Sequence, residues 1–236
     1  VPGFISVRHL GSWAGAIAAG FAARILFGHD KRKWGWDDAC YLLAASLTVW
    51  SGTRAAVLAM AVVTTILIVS TGRWPSHRAI ARVAMLTGAA MAIAYPLLPD
   101  DPAFHLFATR DYHSVQTATS ARSSLWELTF LRWLESPIFG WGTASTLWEV
   151  DIGTPDTQPH NAVLQFLISW GVIGCGGAVY LLGRAIRRVH GPGIGDPRLR
   201  PLLAMLYALL FQSLLEGMLH YPRFVLAIFF LFALLI

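Results

Sequence analysis

Charged side chains are scarce in this chain: 13 Asp and Glu with 18 Lys and Arg among 236 residues. That is 13% of the sequence, where a soluble domain carries about 25%. The deficit excludes an ordinary water-facing surface. Cysteine is scarcer still. Cys40 and Cys175 both lie inside apolar runs, without metal-ligand neighbours, so they read as small buried hydrophobes and a disulfide framework is excluded. There is no internal repeat and no low-complexity tract, which excludes a solenoid. Val1 opens without a methionine or a signal peptide, and the last apolar run is still apolar at Ile236. We therefore expect an internal stretch of a longer protein, lacking spans at both ends.

What fills the chain is long apolar runs: Ala14 to Phe27, Ala55 to Ser70, Ala79 to Leu98, Ala162 to Leu182, Leu202 to Leu215 and Phe224 to Ile236. A bilayer-spanning helix needs roughly 20 apolar residues. A further run, Ala39 to Trp50, is short but extendable on either side. The fold class expected is all-α, a polytopic transmembrane helical bundle. Residues 1–98 hold four spans, 99–160 form a partly helical loop, and 161–236 hold three more, the last of them truncated. Ser51-Gly-Thr-Arg54 makes the turn between spans two and three, span four ends at Pro96 and Pro99, and span five starts at Asn161. His190-Gly-Pro-Gly-Ile-Gly-Asp-Pro197 reads as a turn-rich linker before span six.

The basic excess is distributed unevenly. With loops assigned alternately to two sides, Arg24, Lys31, Arg32, Lys33, Arg73, Arg78, Arg82, Arg184, Arg187, Arg188, Arg198 and Arg200 fall on one side. Arg8, Arg54, Arg110, Arg122, Arg132 and Arg223 fall on the other. Positive-inside bias places the richer set in the cytoplasm. The net charge of +5 is then a topology signal, which argues against a nucleic-acid partner. The same split makes 99–160 extracytoplasmic, in keeping with its surplus of acids over arginines.

A connection of that length usually folds or works. Ser124-Leu-Trp-Glu127 fits a capping box, and Trp126, Phe130, Trp133 and Leu134 follow with helical spacing. Ser136-Pro137 ends this helix, which is expected to lie in the membrane interface or to pack on the bundle. Trp141 and Trp148 suit the headgroup level as anchors. Gly140-Trp-Gly142 is too short to be a phosphate loop by itself.

Ionisable groups at membrane depth cost about 2.5–3.5 kcal/mol at the centre of a span, so those present are informative. Arg54 begins span three, Arg122 precedes the loop helix, His160-Asn161 begins span five, and Glu216, His220 and Arg223 cluster between spans six and seven. All belong to the outer face. The N-termini of spans three and five both point there, each offering unpaired N–H groups and a positive dipole end. With the forked guanidinium groups of Arg54 and Arg122, such a face suits a diphosphate. His160, with an ordinary pKa of about 6.5, suits a base or proton shuttle. Plainer readings stand beside these. Arg54 snorkels to the headgroups, Arg122 is a surface charge, Asn161 is a helix cap, and Glu216 with Arg223 is a structural ion pair. His105 and His113 lie without nearby paired acids, so no metal is expected.

Three motifs resemble the O-antigen ligase and polymerase superfamily of bacterial lipid-linked glycan transferases: Ser51-Gly-Thr-Arg54; Arg122 with Trp126 and Glu135-Ser-Pro-Ile-Phe-Gly-Trp-Gly142; and His160-Asn-Ala-Val-Leu-Gln165 continuing to Trp170-Gly-Val-Ile-Gly174. The resemblance covers most of the chain, from Gly3-Phe4 to about Phe224. It implies a C-type glycosyltransferase architecture in the bacterial inner membrane, multi-pass, with its active face and the long loop periplasmic. A glycan would move from an undecaprenyl-diphosphate carrier to an acceptor, which is a lipid A–core, a growing glycan or a protein, with membrane lipid around it and neither metal nor other cofactor. Arg54 and Arg122 match the arginines that hold the donor diphosphate, and His160 matches the histidine assigned to acceptor activation or leaving-group contact. Asn161, Glu216, His220 and Arg223 are the further substrate-binding candidates. Leu214-Leu-Glu216 and Leu219-His-Tyr221 resemble part of the protein-glycosylating branch, but Gly217-Met218 stand where Tyr-Pro is usual, so the acceptor class stays open. A rival of another class is a transporter or flippase of an anionic lipid-linked substrate. That would call for ionisable or broken-helix features near the bilayer midplane. Here the charges gather at one face and the midspan residues are apolar.

Overall fold

A computed structural model of the chain describes residues 7–28, 34–98, 122–142 and 159–236. Among these residues all regular structure is helical: α1 Val7–Phe27, α2 Trp36–Trp50, α3 Arg54–Thr71, α4 His77–Ala94, α5 Arg122–Leu134, α6 Ala162–Gly195, α7 Arg200–Ser213 and α8 Pro222–Leu235. Short 3₁₀ turns lie at Tyr95–Leu97 and Met218–His220. The protein is an all-α polytopic membrane protein. Helices α1, α3, α4 with its 3₁₀ extension, and α6 are long and apolar enough to cross a bilayer, whereas α8 is a shorter apolar helix. Helices α2 and α7, with 15 and 14 residues, also fall short of the spans read from the sequence. Large apolar side chains point outward, among them Leu58, Val69, Met85, Val179, Leu181 and Phe229. Such a surface suits a hydrocarbon solvent.

The described residues fall into two compact units. The first takes those of Val1–Ala108, Arg187–Gln212 and Leu226–Ile236, and the second those of Thr109–Ile186 and Ser213–Val225.

In the first unit α1 is the central helix, because its buried face is made almost wholly of Gly, Ala and Ser. Small residues let backbones approach closely, the usual solution where lipid supplies no hydrophobic drive between helices. A Cβ on Gly15 would overlap Ala56, and one on Gly20 would lie 2.7 Å from Met205 Cγ. At one end of the unit, Thr53 Oγ1 donates to the Arg8 carbonyl at 3.3 Å and Trp50 Nε1 to the Leu97 carbonyl at 2.9 Å. The start of α1, the α2–α3 turn and the end of α4 therefore meet there, in the alternating order expected. At the opposite end Asp38 is buried, accepts from the Gly35 N–H at 2.8 Å and pairs with Arg82. Arg82 also lies 5.0 Å over the Trp34 ring. Arg200, 8% exposed, donates to the carbonyls of Ile194 and Phe27. Several basic residues counted for topology thus also knit this end together.

The linker expected at 190–197 is largely helix: α6 continues to Gly195 with Pro192 inside it. Gly193 serves packing instead of turning, whereas a Cβ on Gly191 or Gly195 would meet open space. A Cβ on Gly193 would come within 3.0 Å of Leu203, and His190 Nδ1 bonds the Tyr207 hydroxyl at 2.7 Å. Contacts with α7 override the local turn preference. The chain turns only at Asp196, whose Oδ1 accepts from the Arg198 N–H at 2.8 Å.

Candidate active site

In the second unit α5 begins at Arg122, so Ser124 lies within its first turn and not at the cap position the sequence suggested. The buried face of α5 is Leu125 and Thr129, one position off the stripe expected, and Phe130 and Leu134 are exposed. Leu125 packs on Ile168 of α6, and the Thr129 hydroxyl is satisfied by the Leu125 carbonyl at 2.7 Å. Helix α5 thus packs on α6.

Helix α6 is not continuous. Gly171 has φ 61° and ψ −168°, a conformation essentially reserved for glycine. In an unbroken helix the N–H groups of Val172 and Ile173 would bond the carbonyls of Ile168 and Ser169. Here the residues after α5 replace both bonds. Trp141 and Gly142 donate to the Ile168 and Ser169 carbonyls at 2.8 and 2.9 Å. Val172 and Ile173 donate to the Pro137 and Ile138 carbonyls at 2.8 and 3.4 Å. The Ser136–Gly142 turn is therefore built into the break, and every backbone group the break frees at these positions is satisfied. This corrects the picture of one continuous apolar span.

The same motif builds its own turn. Ser136 Oγ donates to the Gly140 carbonyl at 2.9 Å, and Gly140 and Gly142 have φ 70° and 89°. Trp141 Nε1 donates to the Arg132 carbonyl at 2.9 Å, while the Arg132 guanidinium stacks over the Trp141 ring at 4.0 Å and pairs with Glu135. Trp141 is thus tied to the protein through its polar edge and its face. Trp148, His105, His113 and Arg110 lie outside the described residues.

At the start of α6 stands Pro159-His160-Asn161. Pro159 is buried and its carbonyl accepts from Trp126 Nε1 at 2.7 Å. His160 has φ 50°, the one non-glycine residue with positive φ among those described. Asn161 is the cap: its Oδ1 accepts from the N–H groups of Val163 at 3.0 Å and Leu164 at 3.1 Å. Its Nδ2 donates to the Leu214 carbonyl at 3.0 Å. The expectation that this helix start offers unpaired N–H groups is corrected, since Asn161 occupies two of them. At α3, by contrast, no side chain caps the first turn, and Arg54 is exposed at its first position.

These bonds join three segments of the second unit. Arg122, placed by its backbone, stands one turn before Trp126 on α5. Trp126 holds Pro159 beside His160, and Asn161 holds Leu214, two residues before Glu216. The 3₁₀ turn of Met218–His220 and Arg223 at the start of α8 complete the segment, with Met218 and Phe224 fully buried beneath. Arg122, His160, Asn161, Glu216, His220 and Arg223 therefore belong to one compact unit, whereas Arg54 belongs to the other. Trp126 and Gly171 both lie within the motifs, but the motifs alone gave neither a role. The Trp126 bond to Pro159, and the bonds of Val172 and Ile173 to the 137–138 carbonyls that accompany the break, have no local signature in the sequence. Among the described residues no group of three or more His, Cys, Asp or Glu is placed to hold a metal ion.

No curated protein and no solved structure matches this chain. Residues 39–179, more than half of it, match the model of the O-antigen ligase family. That stretch holds Arg54, Arg122, His160, the 136–142 turn and the break at Gly171. The chain belongs to the O-antigen ligase family, a family of membrane glycosyltransferases of the ligase and polymerase type.

Proposed function

We propose that the protein transfers a glycan from an undecaprenyl-diphosphate carrier to an acceptor hydroxyl on the periplasmic face of the bacterial inner membrane. The observation that supports this reading is the pair of bonds flanking His160, from Trp126 to the Pro159 carbonyl and from Asn161 to the Leu214 carbonyl, within the unit that also holds Arg122 and Glu216. Family membership supplies the reaction class. The greater number of Lys and Arg on the opposite loops supports the periplasmic assignment.

In the proposed step the acceptor oxygen attacks the anomeric carbon of the carrier-linked sugar. The bond from that carbon to the diphosphate oxygen breaks, and the carrier diphosphate leaves with the electron pair. His160 takes the acceptor proton, an effect worth about 10²–10⁴ in rate. Arg54 and Arg122 hold the leaving diphosphate, because fixed cations stabilise the charge that develops there. Asn161 closes the helix start that presents His160, and Glu216, His220 and Arg223 are the further substrate-binding candidates. Attack opposite the leaving group inverts the anomeric centre. Ligation to lipid A–core, polymerisation and protein glycosylation share this step and differ only in the acceptor.

The broken helix is the feature a transporter reading calls for. It gives that reading little support, because the turn of 136–142 takes up the backbone groups an ion or headgroup would use. The test is release of undecaprenyl diphosphate from a purified carrier-linked glycan by the full-length protein, with and without a panel of acceptors. Acceptor-dependent release supports transfer. Carrier binding with no release across the panel would favour transport.

A further inference from the structure

We propose that Trp126 is the positioning residue of His160, an inference that rests on the transfer reading above. Three observations carry it. His160 sits at φ 50°, where a side chain with a Cβ is disfavoured and which the surroundings must enforce. The peptide group joining Pro159 to His160 is the plane against which that φ is measured, and its oxygen accepts from Trp126 Nε1 at 2.7 Å. On the other side, Asn161 is fixed by its cap to Val163 and Leu164 and by its bond to Leu214. Pro159 contributes its own rigid φ. The indole's bond, from 33 residues away in sequence, thus reaches this peptide plane from a distant segment.

Trp126 is well suited to this work. It stands on α5, which is anchored to α6 at its far end by the 136–142 turn and in its first turn by Leu125 on Ile168. The indole can thus hold a fixed position without help from lipid. Because Arg122 lies one turn earlier on the same helix, a single hydrogen bond links the backbone that carries the proton acceptor to the helix that carries the diphosphate-binding arginine. A displacement of α5 on donor binding would be felt at His160 through this bond. An interfacial anchor would direct its N–H toward the headgroups, whereas this N–H is spent inside the protein.

The test replaces the N–H and keeps the ring. Benzothienylalanine at position 126 puts sulfur where the indole nitrogen stands, and Trp126→Phe serves as a second variant. Two readouts are taken on the full-length protein: turnover with donor affinity, and the rate at which diethyl pyrocarbonate modifies His160, followed by mass spectrometry of its peptide. The expected result is a kcat lower by about ten- to a hundredfold, donor affinity close to wild type, and a changed modification rate at an unchanged melting temperature. In a His160→Ala background the same replacement should cause no further loss, because the two residues act as a unit. Wild-type kcat and modification rate in the benzothienylalanine variant, or a full additional loss in the His160→Ala background, would overturn the proposal. If wild type releases no diphosphate, the transfer reading fails, and the modification rate alone then decides whether Trp126 positions His160.

Discussion

Gly140 and Gly171 face each other across the break in α6 so closely that a Cβ on Gly140 would lie 2.6 Å from the Gly171 nitrogen, and one on Gly171 would overlap the Ile138 carbonyl. Each also needs a positive φ. Neither glycine can change without displacing backbone that holds α5 on α6.

Gly171→Ala is therefore expected to destabilise by about 1–3 kcal/mol from its backbone conformation alone, with the clash added. Gly177, on the same helix with open space around it, provides the control: Gly177→Ala should be neutral or slightly stabilising. Melting temperatures in detergent compare the two. Equal values would show that the break tolerates a side chain.

At the other unit's ion pair, Asp38→Ala leaves Arg82 without its buried partner and is expected to cost about 3–5 kcal/mol. Arg24 pairs with Asp37 at 2.8 Å in the open, so Arg24→Ala should cost about 0–1 kcal/mol. Denaturant titration of both variants checks the contrast, and a mild Asp38→Ala would mean that the pair contributes little.

Asn161 has two separable duties. Asn161→Ser keeps a capping oxygen but loses the donor to Leu214, whereas Asn161→Ala loses both, the cap being worth about 1 kcal/mol. The serine variant should melt close to wild type and still turn over more slowly. Wild-type turnover in Asn161→Ser would free the Leu214 bond of any part in the reaction.

For the diphosphate clamp, Arg54→Ala and Arg122→Ala should each weaken binding of the carrier-linked donor. Lysine at either position should rescue only in part, since it keeps the charge and loses the planar fork. Donor affinity is the measurement, and normal affinity in both alanine variants would remove the clamp from the account.

Much of this architecture is legible in the sequence because a bilayer demands long apolar helices. Among the described residues the apolar runs locate α1 to α4 and α6 to α8, and Ser51-Gly-Thr-Arg54 and Pro159-His160-Asn161 mark two helix starts. What escapes is set by contacts distant in sequence. Gly171 reads as one more packing glycine in a run that also holds Gly174, Gly176 and Gly177. The carbonyls of Pro137 and Ile138 and the N–H groups of Trp141 and Gly142, distant in sequence, make a break there tolerable. His190-Gly-Pro-Gly reads as a turn until Leu203 and Tyr207 pack on it as helix. Trp126 reads as part of an apolar helical stripe, and its proposed role rests on a bond to Pro159 that the stripe does not reveal.

The central claim is that His160 and Arg122 act together on a carrier-linked glycan, and the most direct measurement is acceptor-dependent release of undecaprenyl diphosphate by wild type, Arg122→Ala and His160→Ala side by side. Release by wild type, loss in both variants, and donor binding retained in His160→Ala alone are the expected results. Undiminished release by His160→Ala would contradict the claim and leave His160 as part of a helix start.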